Sequence, residues 1–491
     1  MSEQPIPRSA VERAAINYSQ SLETGDCDTY LEKANTFVSR WADLAYPIEE
    51  PTETPSELRL SDDDYNAFRY TFHLKTTDRG PLAGYKIAVK DNVAIAGVPM
   101  TCGSAAVEFI PDRTAVVLRR LLSAGATLVG TTNMDEFAYG SRGEFCAHGL
   151  VKHPTDEDRL PGGSSSGSAV AVATEMADMA IGSDSGGSIR IPASLSGVVG
   201  FKPTFGTVPC AGLVHLAPSI DHIGPLATTV EDAATLYSVM SGPAVEDLSS
   251  TGVSPVNVDR VGSGVDSMKI GLVEELLEAS TEAVISHLRQ VVEKLSTKGY
   301  TVETVSVPSI PESWTALECI TAYEFTEYIT KDGVTVGNGT WYDGPFHDQL
   351  LEARHSGKIG NLAGEMLVLG EAIHEATGRG HYVVAQQVRQ SLRREVDDWF
   401  EEYDALLMPT TQLTAPKPGE IGGNGFPRTL ANTSPFNLTG TPALSIPSGT
   451  VDGLPIGIQL VTPRHTDKRT LRLGADIESV LSADSLSGKE D

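Results

Sequence analysis

The chain has 491 residues, 65 of them acidic and 37 basic, giving a formal net charge of −28 with 40% hydrophobic residues. It is long enough for a large core, and too apolar and aperiodic for a disordered, collagen-like or coiled-coil chain. The acid excess excludes the basic footprint of a sequence-blind nucleic-acid binder and a polybasic membrane contact, and no apolar run approaches the roughly 20 residues of a spanning helix.

The opening MSEQPIPRSAVERAAINYSQ carries no apolar core, so no export signal is expected. Five widely spaced cysteines (Cys27, Cys102, Cys146, Cys210, Cys319) form no CxxC pair, which fits reduced thiols in a cytoplasmic protein. Only 14 of the basic residues are lysine, and the acids are scattered rather than gathered in a tail. That pattern suits a high-salt cytoplasm, where self-repulsion is screened within about 3 Å at 1 M salt.

In chain order, helix-period apolar positions run from Val11, Ala14, Ala15, Tyr18 and Leu22 to Tyr30, Leu31, Phe37, Trp41 and Leu44. The stretch PIEEPTETPSELRLSDDD then reads as a linker. From residue 82 short strands and helices alternate: strand Tyr85–Val89, helix Thr114–Ala124, strand Thr127–Val129 and a small-residue helix Ser168–Met176. Such alternation predicts an α/β core, a sheet covered by helices. Residues 311–404 read as mostly helical; the strands LLMPTT, PALSIPSG and PIGIQLVTP follow, and the tail LSADSLSGKED reads as frayed. The expected domains are a helical module with its linker over 1–75 and a catalytic domain over 76–485.

Two Gly/Ser loops, Pro161–Ser168 and Ser183–Pro192, bracket fourteen mostly apolar residues. Glycines let a substrate approach main-chain N–H groups, and a hydroxyl where such a loop enters a helix can act as a nucleophile beside an oxyanion site. Linkers are rarely followed by such an apolar run and a second Gly-Gly-Ser. The match of Gly163–Gly167 to GxSxG lacks the strand that a nucleophile elbow follows. No GxxxxGK[ST] occurs. His374-Glu375 has its next histidine at His381, the wrong spacing for HExxH, so neither metal nor cofactor is expected. His215 and His222 read as structural. A serine nucleophile can use lysine as its base, and Lys90 ends the apolar strand YKIAVKDN, where desolvation can remove its proton.

The run PGGSSSGSAVAVA…GSDSGGSIRIPASLSGVVGFKPT resembles the amidase signature, and GPLAGYKIAVKDN resembles that family's lysine-bearing strand. The likeness continues through TTNMDEFAYG, IDHIGPLATTVEDAA and YDALLMPTT…NLTGTPALSIPSG…PIGIQLV, covering residues 80 to 465. It implies an amidase-signature fold with a large mixed sheet. It also implies a serine–cis-serine–lysine arrangement in which Lys90 is the base, Ser164 the cis-serine and Ser188 the nucleophile, 24 positions after Ser164. The backbone amides of Ser185, Gly186, Gly187 and Ser188 would form the oxyanion hole, with Ser165 in support and Asp184 and Arg190 fixing the loop. The implied reaction is a relay from Ser188 through Ser164 to neutral Lys90, then an acyl-enzyme, ammonia release and hydrolysis.

Within that family two readings compete. In the glutaminase (A) subunit of tRNA-dependent amidotransferases an arginine and an aspartate hold glutamine, and here Glu365 and Leu430 stand near those places. Their absence, the N-terminal module and the wording AGVPMTCGSAAVEFIPDRTAVVLRRLLSAGATLVG favour resemblance to the free-standing amidases that accompany nitrile-degrading enzymes. That reading expects small aliphatic or aromatic amides as substrates, no direct nucleic-acid or membrane partner, and a homodimer at most. Cys210 replaces the tyrosine expected in that subgroup and bears on the acyl pocket.

Overall fold

The computed structural model describes residues 6–17, 24–42, 54–250, 252, 268–334, 343–420 and 428–487. Contacts divide the chain into two compact units, Met1–Glu50 and Pro51–Asp491. The first holds the helices Arg8–Asn17 and Thr24–Ala42. Tyr18, Leu22 and Leu44 of the expected apolar pattern lie outside the described residues.

The second unit is built on one sheet of twelve strands. In chain order these are β1 (Ser56–Leu60), β2 (Phe68–Leu74), β3 (Lys86–Lys90), β4 (Thr127–Thr132), β5 (Met179–Asp184) and β6 (Val199–Lys202). They continue with β7 (His222–Ala227), β8 (Lys269–Val273), β9 (Thr301–Val305), β10 (Ala405–Pro409), β11 (Ala443–Val451) and β12 (Leu454–Val461). The spatial order is β1-β2-β4-β3-β5-β7-β6-β11-β12-β10-β8-β9. The sheet is mixed: β4, β3 and β5 run parallel, β5, β7 and β6 alternate in direction, and β10, β8 and β9 are parallel again.

Both faces of the sheet are covered, which is why its central strands read as continuous apolar runs rather than alternating ones. Successive side chains of a strand face opposite layers. In β3, Ile87 and Val89 join the larger core with helices Val116–Ser123, Val230–Met240 and Glu282–Thr297. Ala88 faces the other way, against helix Ser166–Ala173 and the helix Arg190–Ser196. A further layer, helices Ile310–Thr330 and Gly380–Glu402, packs on β10 through Leu317, Ile320, Leu392, Val396, Leu406 and Met408.

The α/β expectation holds, and the differences are local. Ser56–Leu60, inside the stretch read as a linker, is a strand exposed along its whole length and antiparallel to β2. An edge strand needs no apolar face, so its polar sequence hid it. The small-residue helix runs Ser166–Ala173 rather than Ser168–Met176, and Glu175 beyond it takes a positive φ of 60°. The tail read as frayed is helical through Ser487, within Asp467–Ser487.

Candidate active site

Three parallel neighbours, β4, β3 and β5, end on the same side of the sheet, the edge at which α/β proteins place their chemistry. Lys90 closes β3 there and is fully buried. Its Nζ lies 2.7 Å from Ser164 Oγ, 2.8 Å from Ser183 Oγ and 3.3 Å from Ser183 O. Burial pushes the Lys90 ammonium down to about 7, against the opposing pull of Asp135, Asp184 and Asp221. Among the described residues no carboxylate pairs with it directly, and desolvation of the charged form dominates.

The first Gly/Ser loop delivers Ser164. The Gly163–Ser164 peptide is cis, and Ser164 is wholly buried. Asp135, from TTNMDEF, clamps this loop: its carboxylate accepts from Gly143 N (3.0 Å) and Phe145 N (2.8 Å), and its own N–H donates to Ser164 O (3.2 Å). A Cβ at Gly163 would stand 2.0 Å from Asp135 Oδ2, so only glycine fits beside this carboxylate.

The second loop runs from the end of β5 into helix Arg190–Ser196. Asp184 folds it back on itself by accepting from Ile189 N at 3.2 Å. Arg190 holds the same carboxylate through Nε and Nη2, each at 3.0 Å, and reaches Thr433 O, Gln459 Oε1 and Asn437 Oδ1 with its remaining donors. Burial alone would raise the Asp184 carboxyl; the Arg190 guanidinium beside it overcomes that and holds it well below the usual range. Gly187 adopts φ +142°, and a Cβ there would lie 2.1 Å from Thr433 Oγ1. Thr433 Oγ1 in turn donates to Gly186 O at 2.6 Å, fixing the loop from outside.

The structure therefore brings Lys90, Ser164, Ser165, Asp184, Ser185, Gly186, Gly187, Ser188 and Arg190 into one buried cluster. Ser188 meets the first loop through Ser165, whose N–H donates to Ser188 O at 3.2 Å; among the described residues the Ser188 hydroxyl makes no hydrogen bond to Ser164. Reading the sequence missed Ser183, Asn92, Thr433 and Asp221. Asn92 Nδ2 donates to Ser183 Oγ at 3.1 Å, and Asp221 accepts from Ser185 Oγ at 2.5 Å. Ser183 opens the second loop, Asn92 closes YKIAVKDN and Asp221 lies within IDHIGPLATTVEDAA, so each sits in a stretch already singled out, which was the available signal. Thr433 carries none.

Of the other candidates, His222 borders the cluster, its Nδ1 3.2 Å from Asp184 O. His374 stacks on Tyr323, and among the described residues no group of acids, histidines and cysteines could hold a metal ion. Cys210 is buried in the main core, its N–H donating to Asp247. His222 sits beside the buried Lys202, Nε2 to Nζ 3.3 Å. No helix among the described residues is long and apolar enough to cross a membrane. Leu430 and Leu317 close on the second Gly/Ser loop: a Cβ at Gly186 would lie 3.1 Å from Leu430 Cδ2 and 3.4 Å from Leu317 Cδ2.

A lysine buried against one serine, with a second serine on a neighbouring Gly-Gly loop, is an arrangement that serine hydrolases without a catalytic histidine can use. The chain belongs to the amidase family, whose model matches residues 61–471, and is a hydrolase of carboxamide C–N bonds. It is 38% identical to the A subunit of the glutamyl-tRNA(Gln) amidotransferase of Halobacterium salinarum over 420 residues, 84% of this chain and 99% of that one. The crystal structure of the corresponding protein from Thermotoga maritima superposes with TM-score 0.72 at 34% identity, covering 84% of this chain and 87% of that one. A peptide amidase from Stenotrophomonas maltophilia superposes at 0.69 with 30% identity, covering 82% and 84%. These relatives correct the partner expectation. A chain serving a small amide alone, or at most paired with itself and free of nucleic acid, is overturned by relatives that are named as subunits of an enzyme of glutamyl-tRNA.

Proposed function

We propose that this chain cleaves a carboxamide through an acyl-enzyme on Ser188, and does so as the ammonia-releasing component of a tRNA-dependent amidotransferase. The observation that carries this reading is the match across 99% of the Halobacterium salinarum protein. The chemistry follows from the cluster. With its pKa at about 7, Lys90 is about half neutral near pH 7, and the neutral amine can take the Ser164 proton as Ser164 takes that of Ser188. Ser188 attacks the amide carbon, the backbone amides of Ser185–Ser188 stabilise the oxyanion, and the returning proton leaves with ammonia. Hydrogen bonds of this kind commonly tighten only with substrate in place, which accommodates the open Ser164–Ser188 link. The net charge of −28 further supports a protein adapted to a saline cytoplasm.

One observation favours a second reading of the substrate. Leu430 and Leu317 close on Gly186, and the family resemblance implies an arginine near the position of Glu365, so the ground beside this loop suits an amide less polar than glutamine. The test is ammonia release and amide formation on glutamyl-tRNA(Gln), with this chain added to the remaining subunits of a haloarchaeal amidotransferase. Glutamine-dependent amidation is expected. Turnover of propionamide with glutamine inert would establish the second reading instead.

A further inference from the structure

The oxyanion loop is held from one side by the Asp184–Arg190 pair, and from the other by a chain of side chains reaching in from the segment before β7. Ser185 Oγ donates to Asp221 Oδ1 at 2.5 Å. His215 Nδ1 lies 2.8 Å from Asp221 Oδ2, an acceptor-only carboxylate oxygen, so this ring nitrogen carries the proton and donates. Leu216 N and Ala217 N complete the carboxylate's shell at 3.0 and 3.1 Å. His215 and Asp221 side chains are only 3% and 2% exposed, and the imidazole meets the Tyr328 ring edge-on, centroids 5.8 Å apart. Two sides of one carboxylate are thus pinned, one by the histidine and one by the first residue of the oxyanion loop.

We propose that His215 is a positioning residue for amide cleavage, holding Asp221 Oδ2 so that Oδ1, which also accepts from Ala217 N, is turned to Ser185 and, through it, to the oxyanion-forming amides. A histidine that merely filled core space would need no acceptor at Nδ1; here the acceptor is the group that grips the reactive loop. Backbone donors alone fix Asp221 toward residues 216–217, whereas His215 supplies the side-chain donor that sets the carboxylate's rotation. Asp221 also acts on Lys90, its negative charge opposing the effect of burial there, so its placement bears on both ends of the relay. This inference rests on the reading of Ser188 as the nucleophile.

The test uses the full chain and a fluorophosphonate probe, which needs a competent serine and oxyanion site but no natural substrate. Labelling of wild type and none of Ser188→Ala is expected; label retained in Ser188→Ala, or none in wild type, would overturn the nucleophile reading itself. His215→Ala should slow labelling by about tenfold or more, since a displaced oxyanion donor typically costs that much or beyond. His215→Asn, whose amide N–H can stand where Nδ1–H does, should recover most of the rate. Ser185→Ala should match His215→Ala, and the double variant should be no slower than either single one, because both break the same chain. His215→Ala labelling at the wild-type rate, Asn and Ala variants equally slow, or additive losses in the double variant would each overturn the proposal. Should His215→Ala fail to fold, wild-type labelling speed in Ser185→Ala would overturn it as well.

Discussion

Lys90 Nζ lies 2.7 Å from Ser164 Oγ across 74 residues of sequence, both side chains sealed from solvent. Sealing the amine brings its pKa to about 7 and makes the neutral form available. Because the base must be unprotonated, kcat/KM for amide hydrolysis should rise with pH through about 7 and level off above it. A pH–rate profile checks this, and a flat profile across that range would remove Lys90 from the role of base.

Gly187→Ala places a methyl group 2.1 Å from Thr433 Oγ1 on a backbone at φ +142°. The loop must move, at about 1–3 kcal/mol, and the Thr433 bond to Gly186 O is lost with it. The expected outcome is a lower midpoint in thermal melts together with a kcat loss larger than the stability change explains.

Arg190→Leu leaves Asp184 charged, buried and without its partner, while Gln459 and Asn437 lose a donor. Breaking one side of a buried pair costs about 3–5 kcal/mol, and chemical denaturation should show it. The double variant Asp184→Asn with Arg190→Leu should recover part of that loss, since no ionised group then remains unpaired.

Leu430→Asp sets a carboxylate beside Gly186, near the position at which the resemblance to amidotransferase subunits implies an acid for the glutamine amino group. The ratio of kcat/KM for glutamine over propionamide should increase about tenfold or more in this variant, one added charge-assisted contact being worth roughly 1.5–3 kcal/mol. Steady-state ammonia assays on both amides measure it.

How much of this was legible in the sequence depends on whether a residue's partners are near it in the chain. Lys90, Ser164 and Ser188 could be singled out because each sits in a local pattern, an apolar strand end or a Gly/Ser loop, that resembles the family's motifs. Ser183 is the first residue of the second loop and was passed over, though its hydroxyl and carbonyl both face Lys90 Nζ. The roles of Thr433 and Asp221 are legible only in three dimensions. Thr433 reaches Gly186 across 247 positions, and Asp221 looks like an ordinary turn acid until β5 and β7 pair. In the fold, the apolar strands and helix Val116–Ser123 were readable from burial on both faces. The polar edge strand β1 was not, because an exposed strand satisfies its backbone without an apolar pattern. The last turns of helix Asp467–Ser487 read LSADSLS, mostly small and polar, so composition alone hid them.

Ammonia release by wild type and by Ser188→Ala, from glutamine, propionamide and benzamide in molar KCl, bears most directly on the assignment of the nucleophile. Wild type should release ammonia from at least one of them, and the variant should lose about a thousandfold or more of that rate. A Ser188→Ala protein that keeps the full rate on any of these amides would contradict the serine–serine–lysine site.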